Sequence, residues 1–164
     1  MKKKTDRYCR RAAALVAAGL LLVGCSDEPK EPLQPGEAEY VRYCATCHSA
    51  DGTGRPPTFP PLAGSEWLDL GPEAVSLIIL LGLRGEIEVA GLTYRGYMPT
   101  MRQLEDAEIK LILDHIDRQW ADWSRVPQVE EIAELRAAVA DEVLLEGREA
   151  LERVLDKSRD EATP

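Results

Sequence analysis

Two cysteines and a histidine stand together in the sequence CATCH at residues 44–48. Two thiols three positions apart can each add to one vinyl group of a single porphyrin, and a histidine next to them can bind its iron. A bare C-x-x-C pair also occurs in zinc sites and in thioredoxin-like redox pairs. No second C-x-x-C or H-x-x-x-H completes a zinc site, and the other histidine, His115, stands alone. The spacing therefore predicts one covalent haem c, attached through Cys44 and Cys47, with His48 on the iron.

Residues on both sides of this motif fit a known pattern. Gly36 and Tyr40 precede the first cysteine by eight and four positions, the sequence PPLAG follows at residues 60–64, and YMP follows at residues 97–99. In this arrangement the sequence resembles the class I cytochromes c over about residues 36–120. The resemblance implies the fold of that family, in which short helices surround one haem.

The resemblance also implies roles for Pro60 and Met98. In the family, this proline's carbonyl accepts a hydrogen bond from the ligand histidine, here His48, which orients the ring and makes imidazole a stronger ligand. Met98 takes the place of the family's sixth ligand, and a thioether there raises the reduction potential. Pro99 restricts the backbone beside it. Met101 is the competing candidate, although a methionine in a loop more often serves packing.

Residues 1–24 are predicted to be a targeting segment. Lysines and arginines cluster at the start, and the apolar run Ala12–Gly24 is too short for a hydrocarbon core of about 30 Å. The run leads into LVGC at residues 22–25, which resembles the lipobox of bacterial lipoproteins, where the cysteine becomes the first mature residue and is acylated. The alternative is an ordinary signal peptide or uncleaved anchor with an incidental cysteine. We expect an exported protein that faces the periplasm and is anchored to the membrane by lipid on Cys25.

The rest of the chain divides into three parts by composition. Residues 25–35 hold three prolines among charges and predict a semi-extended tether. Residues 36–124 predict a small all-α cytochrome c fold, with a hairpin-like loop at residues 86–95. Residues 125–164 predict an extra amphipathic C-terminal helix, interrupted at Gly147. Its apolar stripe must be covered by the domain itself, by a second copy or by a partner subunit.

Three helices are expected within the domain. The first runs over residues 37–44, the second begins at residues 71–73 and ends near Leu83, and the third covers residues 105–123. His115 stands where the family has an aromatic residue against the first helix, and we expect it to be packed and hydrogen-bonded. The other side chains expected at the haem are three tryptophans that back it and one of two arginines beside a propionate: Trp67, Trp120 and Trp123, and Arg84 or Arg95.

Charge and ligation together predict electron transfer. The net charge of −9 includes the basic targeting segment, so the remainder is more acidic still, which argues against nucleic acid and favours a redox partner with a basic docking patch. Two fixed ligands leave no position for a substrate. The predicted function is a lipid-anchored mono-haem electron carrier between periplasmic or membrane redox partners, and not an enzyme by itself.

Two alternatives remain open. Residues 85–99 look like a subgroup often attached to periplasmic dehydrogenases, which would make the chain a fixed electron-transfer subunit of a dehydrogenase or oxidase complex. An iron with an open sixth position would instead make it a haem sensor or a peroxidase-like protein. Copurification tests the first alternative, and carbon monoxide binding tests the second.

Overall fold

Helices surround one small sheet in residues 32–161, the part of the chain that the computed structural model describes. The predicted targeting segment and Cys25 lie outside the described residues. The helices and strands, in chain order, are α1 Glu37–Tyr43, α2 Ala45–His48, α3 Pro72–Leu81, β1 Leu83–Val89, β2 Leu92–Met98, α4 Asp106–Ile116, α5 Val129–Ala138, β3 Leu145–Glu146 and α6 Gly147–Glu161. A short 3-10 helix, Leu68–Leu70, precedes α3, and a π-helical turn, Asp117–Ala121, follows α4.

Local sequence explains where the helices begin and end. Pro72 occupies the first turn of α3, where its fixed φ fits and no N–H is needed. Gly82, with φ of 76°, ends that helix. At the start of α4 the Glu108 carboxylate accepts a hydrogen bond of 3.0 Å from the backbone N–H of Glu105. The third predicted helix is therefore present, but its regular part ends at Ile116, where the π-helical turn begins.

The prediction of an all-α fold holds only in part, because three strands form a sheet in the order β2-β1-β3. β1 and β2 are antiparallel, with Leu83 opposite Met98, and each has seven residues. The hairpin expected at residues 86–95 is thus present and longer than predicted. Ala90 and Gly91, with φ of 50° and 73°, form its two-residue turn, since such turns need left-handed backbone. β3 adds parallel to the other edge of β1.

The C-terminal extension forms two helices and a strand instead of one interrupted helix. Gly147, with φ of 70°, begins α6 directly after β3. Of the three ways left open to cover the apolar stripe, the structure shows that the extension folds back on the domain, since its buried side chains join the core that α3, α4 and β1 also build. These side chains are Ile132, Val139, Leu145, Leu151, Val154 and Leu155.

α1 and α4 meet where His115 packs against Tyr40. The two rings stack with centroids 4.8 Å apart, and the Trp120 ring approaches His115 edge-on at 5.5 Å. Gly36 comes so close to α4 that a Cβ there would lie 1.9 Å from the carbonyl oxygen of Leu111. His115 is packed as expected and only 4% exposed, but neither ring nitrogen has a hydrogen-bond partner within residues 32–161. The expectation of a hydrogen-bonded histidine was therefore wrong.

Replacing His115 by phenylalanine should remove an acid sensitivity from the fold. Burial lowers the pKa of His115, the Arg118 charge lowers it further, and Glu37 opposes both. Because the folded pKa lies below the unfolded value of about 6.5, the unfolded chain takes up the proton first. The stability that neutral His115 contributes is complete above about pH 6.5 and is lost as the pH falls from there to the folded pKa.

Thermal unfolding followed by circular dichroism measures this effect. Between about pH 7.5 and about pH 5.5, the Tm of His115→Phe should fall less than that of the unsubstituted protein. His115→Gln, which also lacks a titrating ring but keeps polar atoms, separates the loss of titration from the gain of an apolar ring. Equal falls in all three proteins would assign the acid sensitivity to other groups.

Candidate haem site

Cys44, Cys47 and His48 lie on one turn of backbone. The N–H groups of Cys47 and His48 donate to the carbonyl of Cys44, with N···O distances of 3.1 and 2.9 Å. All three side chains line a single large apolar cleft. The turn therefore presents two thiols and one imidazole to the same space.

The surroundings of Cys44 disfavour the chemistries of C-x-x-C that need a thiolate. Both thiols are free and partly buried. Burial, with a contribution from Cys47, raises the pKa of Cys44 to about 12, so that thiol stays neutral. Zinc binding and disulfide exchange both use thiolates. In addition, no three His, Cys, Asp or Glu side chains of the described residues group as metal ligands.

The imidazole of His48 is oriented by Pro60. Its Nδ1 lies 3.0 Å from the carbonyl oxygen of Pro60, which accepts a hydrogen bond when Nδ1 carries the proton. That tautomer leaves Nε2 with a free lone pair for a metal. Burial lowers the pKa of His48, with the Pro60 contact opposing it, so the neutral ring that a metal requires is favoured.

The loop from Ser49 to Gly64 places Pro60 by backbone hydrogen bonds. The N–H of Gly54 donates to the carbonyl of His48 at 2.8 Å, and the N–H of Leu62 donates to that of Gly52 at 2.7 Å. Gly54, with φ of 66°, lies so close to Pro60 that a Cβ would come within 2.5 Å of its carbonyl oxygen. A glycine is therefore required at position 54 for this approach.

Met98 and Met101 both line the cleft. Met98 is the last residue of β2, opposite Leu83 of β1. Met101 lies in the following loop, where its N–H donates to the carbonyl of Ile79 at 2.8 Å. The Met101 sulfur lies 3.5 Å from the side-chain amide nitrogen of Gln103, which donates to it. The structure thus brings both candidate sulfurs to the cleft of His48, and only that of Met101 accepts this amide.

Of the three tryptophans expected at the haem, one lines the cleft and two lie outside its wall. Trp67 lines the cleft, and its indole N–H donates to the carbonyl of Glu88 at 2.8 Å. Trp120 instead packs beside His115, and the indole of Trp123 donates to the carbonyl of Leu68, itself a wall residue, at 2.8 Å. Trp123 therefore supports the cleft wall from behind, whereas Trp120 is not among the residues that line the cleft.

Of the two arginines, Arg84 lines the cleft, where its guanidinium lies 3.4 Å from the Glu146 carboxylate. Arg95 pairs with Glu86 at 2.6 Å, and both of these side chains are exposed. Arg84 is therefore the arginine that the structure places at the cleft.

Tyr94 belongs to the hairpin that the sequence predicted, and the structure places it in the wall of the cleft. It is 1% exposed, and its hydroxyl is buried without a hydrogen-bond partner among the described residues. Such a hydroxyl costs about 1–3 kcal/mol, so a group that fills the cleft is expected to accept its hydrogen bond. A haem is apolar over most of its surface and carries propionates, so the walls fit it. Strand periodicity explains why Tyr94 and Met98 line the same cleft, because the two residues are four positions apart on one face of β2.

Helices around an apolar cleft, with two thiols and an oriented imidazole on one turn, define a protein that holds a single covalent haem. A family model described as Cytochrome c matches residues 33–120, more than half of the chain. Two relatives, both named cytochrome c-552 and both from Thermus thermophilus, are 42% identical over 113 residues. The matched stretch is 63% of this chain and 86% and 76% of the two relatives.

The chain belongs to the cytochrome c family and contains a class I cytochrome c domain. It is accordingly an electron-transfer haem protein with one haem c, held covalently through the cysteines of its C-x-x-C pair, Cys44 and Cys47. The remaining site residues, His48, Pro60 and Met98, surround the cleft but stay predictions as ligands and ligand support.

Removing the Tyr94 hydroxyl should change how the reduction potential depends on pH. A propionate that accepts a hydrogen bond from Tyr94 has a lower pKa than one without it. In Tyr94→Phe that pKa, and with it the pH at which the reduction potential changes, should rise by about one unit. Redox titrations across the pH range measure it. Tyr97→Phe is the matched control, because Tyr97 lines the same cleft but is 60% exposed. Identical curves for both variants would show that Tyr94 does not bind a propionate.

Proposed function

We propose that this protein is a lipid-anchored mono-haem electron carrier in which His48 and Met98 are the two axial ligands. When bound, the haem supplies a one-electron Fe(III)/Fe(II) couple. One observation carries the proposal: a single apolar cleft is lined by both attachment thiols, by the imidazole that Pro60 orients, and by Met98.

The residues of the cleft would do three things for electron transfer. Pro60 holds the His48 ring, so that ligation does not depend on a mobile side chain. The apolar walls exclude water and favour the less charged, reduced state. Met98 and His48 together leave no position for a substrate, so catalysis by this chain alone is not expected.

The proposed anchor rests on the sequence before the domain. Cys25 and the run before it lie outside residues 32–161, and within those residues no helix has both the length and the apolarity that a membrane span requires. Acylated Cys25 would then hold the domain at the periplasmic side of a membrane, tethered through residues 26–35. Cys25→Ala should move the haem protein from the membrane fraction to the soluble fraction. Unchanged fractionation would contradict the anchor alone.

Partners are proposed from charge. The acidic chain, at −9 overall, favours redox partners with basic docking patches. In the alternative of a fixed complex subunit, the apolar stripe of the C-terminal extension would be the interface with another chain. Buried stripe residues such as Ile132 and Leu151 are covered by the domain itself, which argues against that interface. Burial of this stripe supports the lipid-anchored carrier, and copurification with a dehydrogenase or oxidase would favour the fixed subunit instead.

The visible spectrum of oxidised and reduced protein tests the central proposal. Produced with export and haem-attachment machinery, the protein should show a sharp reduced α band and the weak near-infrared-edge band of methionine–ferric ligation. The colour should also stay with the denatured chain after acetone extraction. A high-spin spectrum that shifts with carbon monoxide would favour a sensor or peroxidase-like protein instead.

A further inference from the structure

The C-terminal extension, here Val129–Glu161, completes the sheet beside Met98. Leu83 of β1 pairs on one side with Met98 of β2 and on the other with Leu145 of β3. These three residues thus form one row across the sheet. The N–H of Leu145 also donates to the carbonyl of Gly82 at 3.2 Å. The extension is therefore in register with Met98, one strand away from it.

The segment after Met98, here called the Met98 loop (residues 99–105), reaches into the extension through Arg102. One terminal nitrogen of its guanidinium donates to the carbonyls of Val139 and Glu142, both at 2.8 Å. The other lies 3.4 Å from the carbonyl of Ala140. These carbonyls follow the C-terminus of α5, where backbone acceptors lack helical partners. Arg102 thus binds the loop to the end of α5.

Arg136 of α5 makes the reciprocal connection. Its guanidinium donates to the carbonyls of Arg102 and Leu104 at 2.8 and 2.7 Å. It also pairs with the Asp106 carboxylate at 2.7 Å, at the start of α4. Both side chains of this ion pair are about three-quarters buried. Hydrogen bonds from a buried charged donor are stronger than those between neutral groups.

On its other side the Met98 loop is attached to α3 and not to the extension. The Thr100 hydroxyl donates to the carbonyl of Leu80 at 2.6 Å, and the N–H of Met101 donates to that of Ile79 at 2.8 Å. The loop therefore lies between α3 and the extension. Without the two arginines the loop would keep its hydrogen bonds to α3 and lose those to the extension.

We infer that the C-terminal extension, acting through Arg102 and Arg136, positions Met98 as an iron ligand; the inference rests on the proposed function of that methionine. A thioether is a neutral ligand that must compete with water and other bases for iron, so its binding depends on how firmly its loop is held. Residues that hold a ligand in place act through geometry and hydrogen bonding and not through contact with the metal. Arg102 and Arg136 are thus positioning residues.

Competition with free imidazole tests this inference on the full, haem-loaded chain. In Arg136→Gln and Arg102→Gln, imidazole should displace the methionine about tenfold more easily, followed as loss of the methionine–ferric band. The same band should disappear at lower pH than in the unsubstituted protein. Arg136→Lys keeps the positive charge but cannot donate to Arg102, Leu104 and Asp106 at once. Its imidazole affinity should therefore lie between those of the unsubstituted protein and Arg136→Gln.

Arg125→Gln is the matched control, because Arg125 pairs with Glu131 at the start of α5 and, among the described residues, makes no hydrogen bond or ion pair with the Met98 loop. Its imidazole affinity should equal that of the unsubstituted protein. Circular dichroism and thermal unfolding are recorded for every variant, and Arg102→Gln and Arg136→Lys carry the test if Arg136→Gln does not fold.

The outcomes separate the two proposals. Suppose that the unsubstituted protein shows the methionine–ferric band. If the arginine variants then fold, with or without a lower Tm, and bind imidazole as it does, the positioning role is overturned and the proposed function stays intact. Absence of the band from the unsubstituted protein would overturn the ligand assignment itself.

Discussion

Met98→Ala should convert a low-spin haem into a high-spin one that binds carbon monoxide when reduced. The thioether supplies the sixth ligand, and alanine leaves that position to water. Because a methionine ligand stabilises ferrous iron, the reduction potential should also fall, by on the order of 0.1 V within the roughly 0.8 V range that axial ligands cover. Electronic absorption spectra with and without carbon monoxide, and a redox titration, measure these effects.

Met101→Ala is the matched control for this prediction. Met101 lines the same cleft three positions later, but its sulfur accepts a hydrogen bond from Gln103. Its alanine variant should keep the low-spin spectrum and a potential close to the original. If Met101→Ala became high-spin while Met98→Ala did not, the ligand assignment would have to be exchanged.

Replacing both Cys44 and Cys47 by alanine should abolish covalent haem and, with it, the folded domain. The cleft walls include apolar side chains that pack against the core but are only partly buried by the protein itself, such as Leu62, Ile78 and Ile87. Each large apolar side chain that loses its cover forfeits about 1.5–3 kcal/mol. Several such losses match the whole net stability of a domain, about 5–15 kcal/mol.

The single variant Cys44→Ala is the graded control, because Cys47 can still form one thioether bond. Acetone extraction followed by haem staining of a denaturing gel should show haem in this variant and none in the double variant. Circular dichroism should show most helix lost only in the double variant. A double variant with full helix content and no haem would contradict this account of the core.

Most of the haem attachment site could be predicted from the sequence, because its residues are close together in the chain. Cys44, Cys47 and His48 are close in the chain, so their spacing alone brings them to one turn. The approach of Pro60 to His48 depends on a loop, and a family resemblance supplied it where periodicity could not. The first and second helices also lie close to their predicted positions.

The rest depends on contacts between distant residues. A two-residue strand such as β3 has no periodicity to read, and its pairing with β1 requires the chain between them to fold first. The predicted hairpin ended at residue 95, so the sequence did not place Tyr94 and Met98 on one face of the same strand. Within residues 32–161 the ring nitrogens of His115 have no hydrogen-bond partner, which depends on the neighbours that surround the ring and is not encoded by spacing.

The position of β3 in the chain has a consequence for the order of assembly. The turn that carries the cysteines contains only residues that are neighbours in the sequence. Leu145, in contrast, pairs with Leu83, which lies far from it along the chain. Contacts between distant residues form later than local ones, because closing a long loop costs more entropy. We therefore expect the cysteines to form their thioether bonds with the haem vinyl groups before β3 has paired with β1, when the domain is still open at the Met98 side. The last part of the chain to arrive would then close the domain after the cofactor is in place.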